Sequence, residues 1–274
     1  AVDAAANSDY ALVFAGLNEE WESEGFDRKD LKMPEPQSQL IKAVAAANPN
    51  TVVILNNGSP LEMSDWLDSV PAVLETWFPG QECGNAMADV LFGRVNPGGK
   101  LPDTFPKNLS DHPSFPFYPG SRDKVLYGED IFVGYRYFDK NNVEPLFPFG
   151  FGLSYTEFEY SNLRITPEKA SAHEKVRVEA EIKNTGRRSG KEVVQLYVSD
   201  IASSLPRPPR ELKGFQKVSL KPGQKVKVIF ELGKDAWSYW DPAKKGWIAE
   251  PGDFDVLVGS SSRDIRLKKK IRIV

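Results

Sequence analysis

Hydrophobic and polar positions change rhythm once along this chain. In the first half, short apolar runs without alternation occur at residues 10–17 (YALVFAGL), 51–55 (TVVIL) and 72–78 (AVLETWF). Such runs are the pattern of strands buried on both faces, as in parallel sheets. Between them, residues 36–48 (PQSQLIKAVAAAN) place Leu40, Ile41, Val44 and Ala45 at helical spacing. A short helix is expected at 61–67. Residues 81–92 (QECGNAMADVLF) read as another helix, stopped by Gly93 and the Pro97-Gly98-Gly99 turn. Strand and helix patterns in alternation with short links predict a parallel α/β layer with right-handed crossovers.

The second half carries the period of two. Val176, Val178, Ala180 and Ile182 alternate with charged residues, and further strand-like runs lie at 193–198, 212–218, 226–232, 254–258 and 265–274. Turn signals separate them at Asn184-Thr185-Gly186, Pro206 to Pro209, Lys221-Pro222-Gly223 and Pro251-Gly252. About seven short strands at that spacing predict an immunoglobulin-like sandwich. Between the halves the periodicity dissolves into a segment rich in Pro, Gly and aromatics, including FPFYPG (115–120), YGEDIFVGYRYFD (127–139) and PLFPFGFGLSYT (145–156). So many aromatics suit packing against another surface rather than a solvated loop. The expected division is therefore an α/β part at 1–106, an aromatic linker at 107–156 that clamps the domains, and a β-sandwich at 157–274.

Charge follows the same division. The 274 residues carry a net charge of −3, but residues 1–150 hold 11 Lys+Arg against 22 Asp+Glu, a net of −11, and the remainder holds 24 against 16, a net of +8. The basic half spreads its lysines over alternating strand faces, where they guard sheet edges against aggregation. Its single run, Lys268-Lys269-Lys270, comes with no recognition motif, so nucleic-acid binding is not expected. No apolar run is long enough to cross a bilayer, and no membrane association is expected. The N-terminus lacks a signal peptide's basic flank and apolar centre. A mature secreted chain would look the same. Sequons at Asn57 and Asn108, the first weakened by Pro60, are compatible with secretion and decide nothing; secreted and cytoplasmic locations both stay open, with a slight lean to secreted. A homo-oligomer is compatible with the sequence.

Candidate chemistry narrows quickly. One cysteine, Cys83, excludes an internal disulfide and any cysteine-based zinc cluster, and no residue cluster suggests a metal or cofactor. Cys83 reads as a small buried residue on a helix, since neither His112 nor His173 is placed by motif to activate it. Gly150-Phe151-Gly152 lacks the strand, helix and third glycine of a dinucleotide loop and reads as a tight turn fixing aromatics. Ser64-Asp65-Trp66 resembles the surroundings of a glycosidase nucleophile, but no barrel strand precedes it, and Asp65 reads as a surface or helix-entry residue.

The informative stretch is Glu22-Ser23-Glu24-Gly25-Phe26-Asp27-Arg28, directly after the first strand. In parallel α/β layers ligands bind beyond the carboxyl ends of the strands. A carboxylate there can protonate a leaving oxygen, an aromatic can stack on a sugar face, and glycine permits a tight turn. A solvated acidic loop shaped by an Asp–Arg pair would fit the same residues.

GLNEEWESEGFDRKDLKMP (16–34), WFPGQECGNAMADVLFGRVNPGGKLPDTFP (77–106), VGYRYFD (133–139) and PLFPFGFGLSYTEF (145–158) occur in family order and together resemble the C-terminal half of glycoside hydrolase family 3 enzymes, most nearly the β-glucosidases, with xylosidases and other exo-acting members behind. The resemblance implies part of an α/β/α sandwich domain followed by a fibronectin type III-like domain. It implies a retaining mechanism in which an aspartate on an N-terminal (β/α)8 barrel attacks the anomeric carbon and a glutamate of the sandwich domain is general acid and then base. The family's Glu-Gly-aromatic pattern falls on Glu24, with Glu22 as the alternative. Phe26 matches the aromatic of the leaving-group subsite, where many relatives have Tyr, and Arg28 is a candidate substrate contact. Retention needs carboxyl groups about 5–5.5 Å apart, and the acid must keep its proton through burial or a negative neighbour. An isolated loop supplies neither. No barrel is present in these 274 residues, so the nucleophile is expected on another chain or a preceding segment, and the chain alone is expected to be inactive. A non-catalytic carbohydrate-binding or scaffold fragment is the reading from another class. Sugar and linkage preference are not legible.

Overall fold

The computed structural model describes residues 1–274, which divide into two compact units. The first comprises Ala1–Arg94, Phe105–Pro116 and Glu144–Leu146, and the second Val95–Thr104, Phe117–Val143 and Phe147–Val274. Residues 107–156 are thus shared between the units.

The first unit is an α/β layer. Its elements are α1 (Val2–Ala6), β1 (Ala11–Gly16), α2 (Glu35–Ala47), β2 (Thr51–Asn56), β3 (Ala72–Glu75) and α3 (Cys83–Leu91). The three strands form one parallel sheet in the order β1-β2-β3, in register from Ala11 opposite Thr51 and from Val52 opposite Ala72. Val53, Ile54 and Leu55 of the central strand are fully buried, as the apolar run predicts. Helix α2 buries Ile41, Val44 and Ala45 and packs on β1 and β2.

Three local expectations need correction. The β1 run was expected to be buried on both faces, yet Leu12 is 44% and Phe14 59% exposed, because α2 covers one face of the strand only. The third strand ends at Glu75, since Trp77 takes a left-handed backbone conformation with φ 53°. Residues 61–67 form no helix; a turn leads into a 3-10 segment at Leu67–Ser69. There Glu62 is held extended by a parallel bridge to Lys32, with its N–H donated to the Leu31 carbonyl at 2.7 Å.

The second unit is mostly β. It contains α4 (Tyr135–Lys140), β4 (Phe158–Thr166), β5 (Lys169–Ala170), β6 (Val176–Asn184), β7 (Gly190–Asp200), β8 (Glu211–Leu220), β9 (Lys225–Leu232), α5 (Lys234–Trp237), β10 (Ser238–Asp241), β11 (Gly246–Ala249), β12 (Gly252–Gly259) and β13 (Ile265–Ile273). A five-stranded sheet, β5-β13-β12-β7-β8, and a three-stranded sheet, β4-β6-β9, enclose one apolar core. The alternation that predicted β6 is the packing itself: Val176, Val178, Ala180 and Ile182 are fully buried, while the charged residues between them face outward. Strand β4 and the β10–β11 hairpin were not anticipated. Two of the three lysines of β13 are paired locally, Lys268 with Asp255 and Lys269 with Glu168, each at 2.7 Å. Gly150, at φ 81°, makes the expected tight turn; an added Cβ would collide with Gln195, and the turn stacks Phe147 on Phe151 with ring centroids 5.2 Å apart.

Candidate active site

The loop of residues 17–34 leaves the carboxyl end of β1, where a parallel layer presents its loops to ligands. Its start is a turn on Asn18, whose carbonyl accepts the N–H groups of Trp21 and Glu22 at 3.0 Å each. A shallow cleft of about 390 Å³ lies there, lined by Phe14, Gly16, Asn18, Trp21, Gln37 and Asn56 among others. A larger depression of about 550 Å³ sits at the opposite, amino end of the strands, around Asp9 and Asn50, away from this loop.

At the centre of the loop Ser23 and Phe26 form an isolated antiparallel bridge, so that Glu24 and Gly25 occupy the tip of a four-residue turn. The Gly25 N–H donates to Ser23 Oγ at 3.2 Å. Glu24 is exposed, and Phe26 is 48% exposed. Gly25 is outside the left-handed region, and an added Cβ would come no nearer than 3.7 Å to Ser23 Oγ. The turn therefore does not demand glycine at this position.

The feet of that turn are held by polar contacts. Glu22 accepts a hydrogen bond from the Gly58 N–H through Oε2 at 2.7 Å and a short one from the Ser59 hydroxyl through Oε1. Arg28 donates from Nη1 to Ser59 Oγ at 2.7 Å and to the Pro60 carbonyl at 3.3 Å, and lies 4.0 Å from Glu22 Oε1. Its side chain is 14% exposed. Burial lowers the Arg28 pKa, and the charge of Glu22 partly restores it.

Behind these residues lies Glu75, the last residue of β3. Burial pushes its carboxyl up to about 7, against the lowering effect of the N–H of Trp77, donated at 2.9 Å, and of the Asn57 amide at 3.3 Å; the charge of Glu22 adds to the rise. Asn57 is completely buried and also donates to the Ser59 carbonyl at 2.9 Å. It leaves no room for a glycan, so of the two sequons only Asn108 is on the surface. At Gly58 an added Cβ would lie 2.6 Å from the ring of the exposed Phe78 and 3.2 Å from Glu22 Oε2.

Glu22, Glu24, Phe26 and Arg28, singled out in the sequence, lie together in one loop because they share one stretch. Asn57-Gly58-Ser59, which reads as a sequon, and Glu75, which carries no motif, are brought beside that loop by the fold. The turn signal Asn-Gly-Ser at the end of an apolar strand was the available clue. Asp65 is exposed and paired with Lys42 at 3.1 Å. Cys83 opens α3 as a free, half-buried thiol, more open than expected because Met87 is the buried residue of that helix. No group of His, Cys, Asp and Glu side chains is arranged to hold a metal ion.

The chain thus combines a parallel α/β layer, with an acidic loop beyond the carboxyl end of its first strand, and an immunoglobulin-like sandwich, and comparison with known proteins supplies the family. Residues 1–155 match the glycosyl hydrolase family 3 C-terminal domain, and residues 192–262 match the fibronectin type III-like domain. The chain belongs to glycoside hydrolase family 3. It is 53% identical over 270 residues to the thermostable beta-glucosidase B of Acetivibrio thermocellus, covering 98% of this chain and 36% of that protein. It is 45% identical over 271 residues to the probable beta-glucosidase I of Aspergillus terreus, covering 97% of this chain and 32% of that one. Among solved structures, the GH3 beta-glucosidase of Bifidobacterium adolescentis superposes with a TM-score of 0.96 at 43% identity, over 99% of this chain and 40% of that one. The beta-glucosidase of Kluyveromyces marxianus in complex with glucose gives 0.93 at 44%, over 100% and 32%. The chain thus spans about a third of the length of the curated relatives it matches.

Proposed function

We propose that this chain supplies the acid/base half of a retaining, exo-acting β-glucosidase whose nucleophilic aspartate belongs to a (β/α)8 barrel outside these 274 residues. Glu24 is the general acid and base. In the first step it gives its proton to the glycosidic oxygen as the aspartate attacks the anomeric carbon, the bond to the leaving group breaks and a covalent glycosyl-enzyme forms. In the second step the same carboxylate takes a proton from water, which attacks the anomeric carbon and releases both glucose and aspartate. Phe26 offers an apolar face to the leaving group, and Arg28 serves the substrate through the loop that it anchors.

One observation carries the assignment within the loop. Glu24 stands free at the tip of the Ser23–Phe26 turn, whereas the Glu22 carboxylate is occupied by Gly58, Ser59 and Arg28. A residue that must hand a proton to a substrate needs an accessible carboxyl group. Because the nucleophile lies elsewhere, the chain alone is expected to hydrolyse β-glucosides negligibly.

The test is Glu24→Gln in the protein that joins this chain to its barrel. Turnover of glucosides with poor leaving groups should fall about 100- to 10,000-fold, the usual range for a lost general acid. Activated dinitrophenyl glucosides should fall far less in the glycosylation step, and azide should restore turnover by attacking the glycosyl-enzyme without a base. If Glu22→Gln shows this pattern and Glu24→Gln does not, the assignment is reversed.

A further inference from the structure

Residues 22 and 28 flank the acid-bearing turn, and both end on the same hydroxyl. Ser59 Oγ donates to Glu22 and accepts from Arg28 Nη1 at 2.7 Å, so the carboxylate and guanidinium, 4.0 Å apart, are linked through it. The five residues between them, 23–27, form a short excursion closed at its base. The loop after β2 meets it directly: the Gly58 N–H reaches Glu22 Oε2 at 2.7 Å, and the Phe78 ring lies where a Gly58 side chain would be. Asn57 fixes the far side of that loop through the Ser59 carbonyl and Glu75.

We propose that Glu22 and Ser59 are positioning residues that fix the height and direction of Glu24 over the substrate by clasping both ends of its turn to the loop after β2. The inference rests on Glu24 being the general acid, as proposed above. A carboxyl at the tip of an otherwise free four-residue turn would sample many orientations, and a displacement of about 1 Å at a reacting group can cost on the order of 100-fold in rate. The clasp removes that freedom without placing any of its own atoms on the substrate. Glu22 is suited to the task because its two carboxyl oxygens accept separately from the Gly58 N–H and the Ser59 hydroxyl.

The experiment uses the intact enzyme and a series of aryl and alkyl β-glucosides of graded leaving-group basicity, with Glu24→Gln as the reference. Ser59→Ala and Glu22→Gln should each lower kcat/KM for the least activated glucosides about 10- to 100-fold, and for dinitrophenyl glucoside less than about threefold. Ser59→Thr keeps the hydroxyl and should recover to within about threefold of the parent. A role confined to folding would depress all substrates alike, and that uniform loss would overturn the proposal, as would unchanged kinetics in both variants while Glu24→Gln shows its steep leaving-group dependence. Absence of that dependence in Glu24→Gln itself would remove the underlying reading, and the positioning role with it.

Discussion

The two units treat their buried carboxylates differently. In the sandwich unit Arg207, its side chain 5% exposed, bridges Asp200 and Glu211 at 3.0 Å each, and Lys213 adds a second cation to Glu211 at 2.8 Å. Burial works against the charge on Glu211, but Lys213 and Arg207 outweigh it and hold that carboxyl below the usual glutamate range. In the α/β unit Glu75 is equally withdrawn from water yet receives only neutral donors, from Trp77 and Asn57, and burial wins. A buried charge with its partner is a structural element; a buried carboxyl left without one, beside an acidic loop, is the kind of group that marks a functional site.

The sharpest way to break the comparison is to take the cation away from the sandwich. Arg207→Ala strands Asp200 among buried groups and also removes donors to the Trp237 and Ser238 carbonyls. The expected cost is about 3–5 kcal/mol, the range for removing one partner of a buried pair. Urea denaturation of the sandwich unit, followed by the fluorescence of buried Trp237, measures it; a loss below about 1 kcal/mol would show that water already reaches the pair.

Glu75 provides the next largest effect, with the opposite dependence on charge. Its folded pKa of about 7 lies above the ordinary value of 4.5, so the folded state binds the proton more tightly than the unfolded chain. The resulting stabilisation is full below about pH 4.5 and is lost as pH rises through about 7. A shift of that size corresponds to about 3 kcal/mol. Glu75→Gln should keep the low-pH stability and flatten the loss between pH 5 and pH 8, read as the difference between the two denaturation midpoints at each pH. Parallel curves for the two proteins would mean that Glu75 is solvated.

These two environments were unequally legible in the sequence. Sandwich strands announce themselves because one face of each is dry: the alternation of Val176 to Ile182 is a direct image of the core. Loop 22–28 was legible because its chemistry is contiguous. Ser59 and Glu75 were not, since their meaning comes from residues 37 positions away in one case and 18 in the other. Local pattern has no access to such pairings. The same limit explains the helix expected at 61–67: Leu61, Met63 and Trp66 are all buried, but residue 62 between them is extended and bridged to Lys32, a partner 30 positions away. Strand β10 escaped because its residues do not alternate: Ser238, Tyr239 and Asp241 are all buried and Trp240 is half exposed.

A smaller effect tests how tightly the clasp is built. In Gly58→Ala the new Cβ meets the edge of Phe78, and Phe78 is 71% exposed, so its ring can swing toward solvent. The expected destabilisation is about 1 kcal/mol, at the low end for overpacking because the obstacle is a mobile side chain. Phe78→Ala should remove most of that penalty in the double variant, giving a coupling energy of at least about 0.5 kcal/mol between two residues in contact. Additive effects would place the strain at Glu22 Oε2, 3.2 Å away, instead of at the ring.

The smallest expected effect belongs to Asp65, the residue whose sequence surroundings most resemble a glycosidase nucleophile. It is half exposed and its ion pair with Lys42 spans two side chains open to water, 53% and 45% exposed. Solvent screens such a pair, and holding two long side chains together costs entropy, so exposed pairs contribute about 0.2–1 kcal/mol at most. Asp65→Asn should therefore change stability by less than about 0.5 kcal/mol, with the change shrinking further in 0.5 M salt. Turnover in the intact enzyme should stay within about twofold of the parent. Unlike Glu75, Asp65 stays in contact with water in the folded chain. A loss of turnover on the scale expected for a missing nucleophile, at unchanged stability, would move the chemistry to Asp65 and away from the loop after β1.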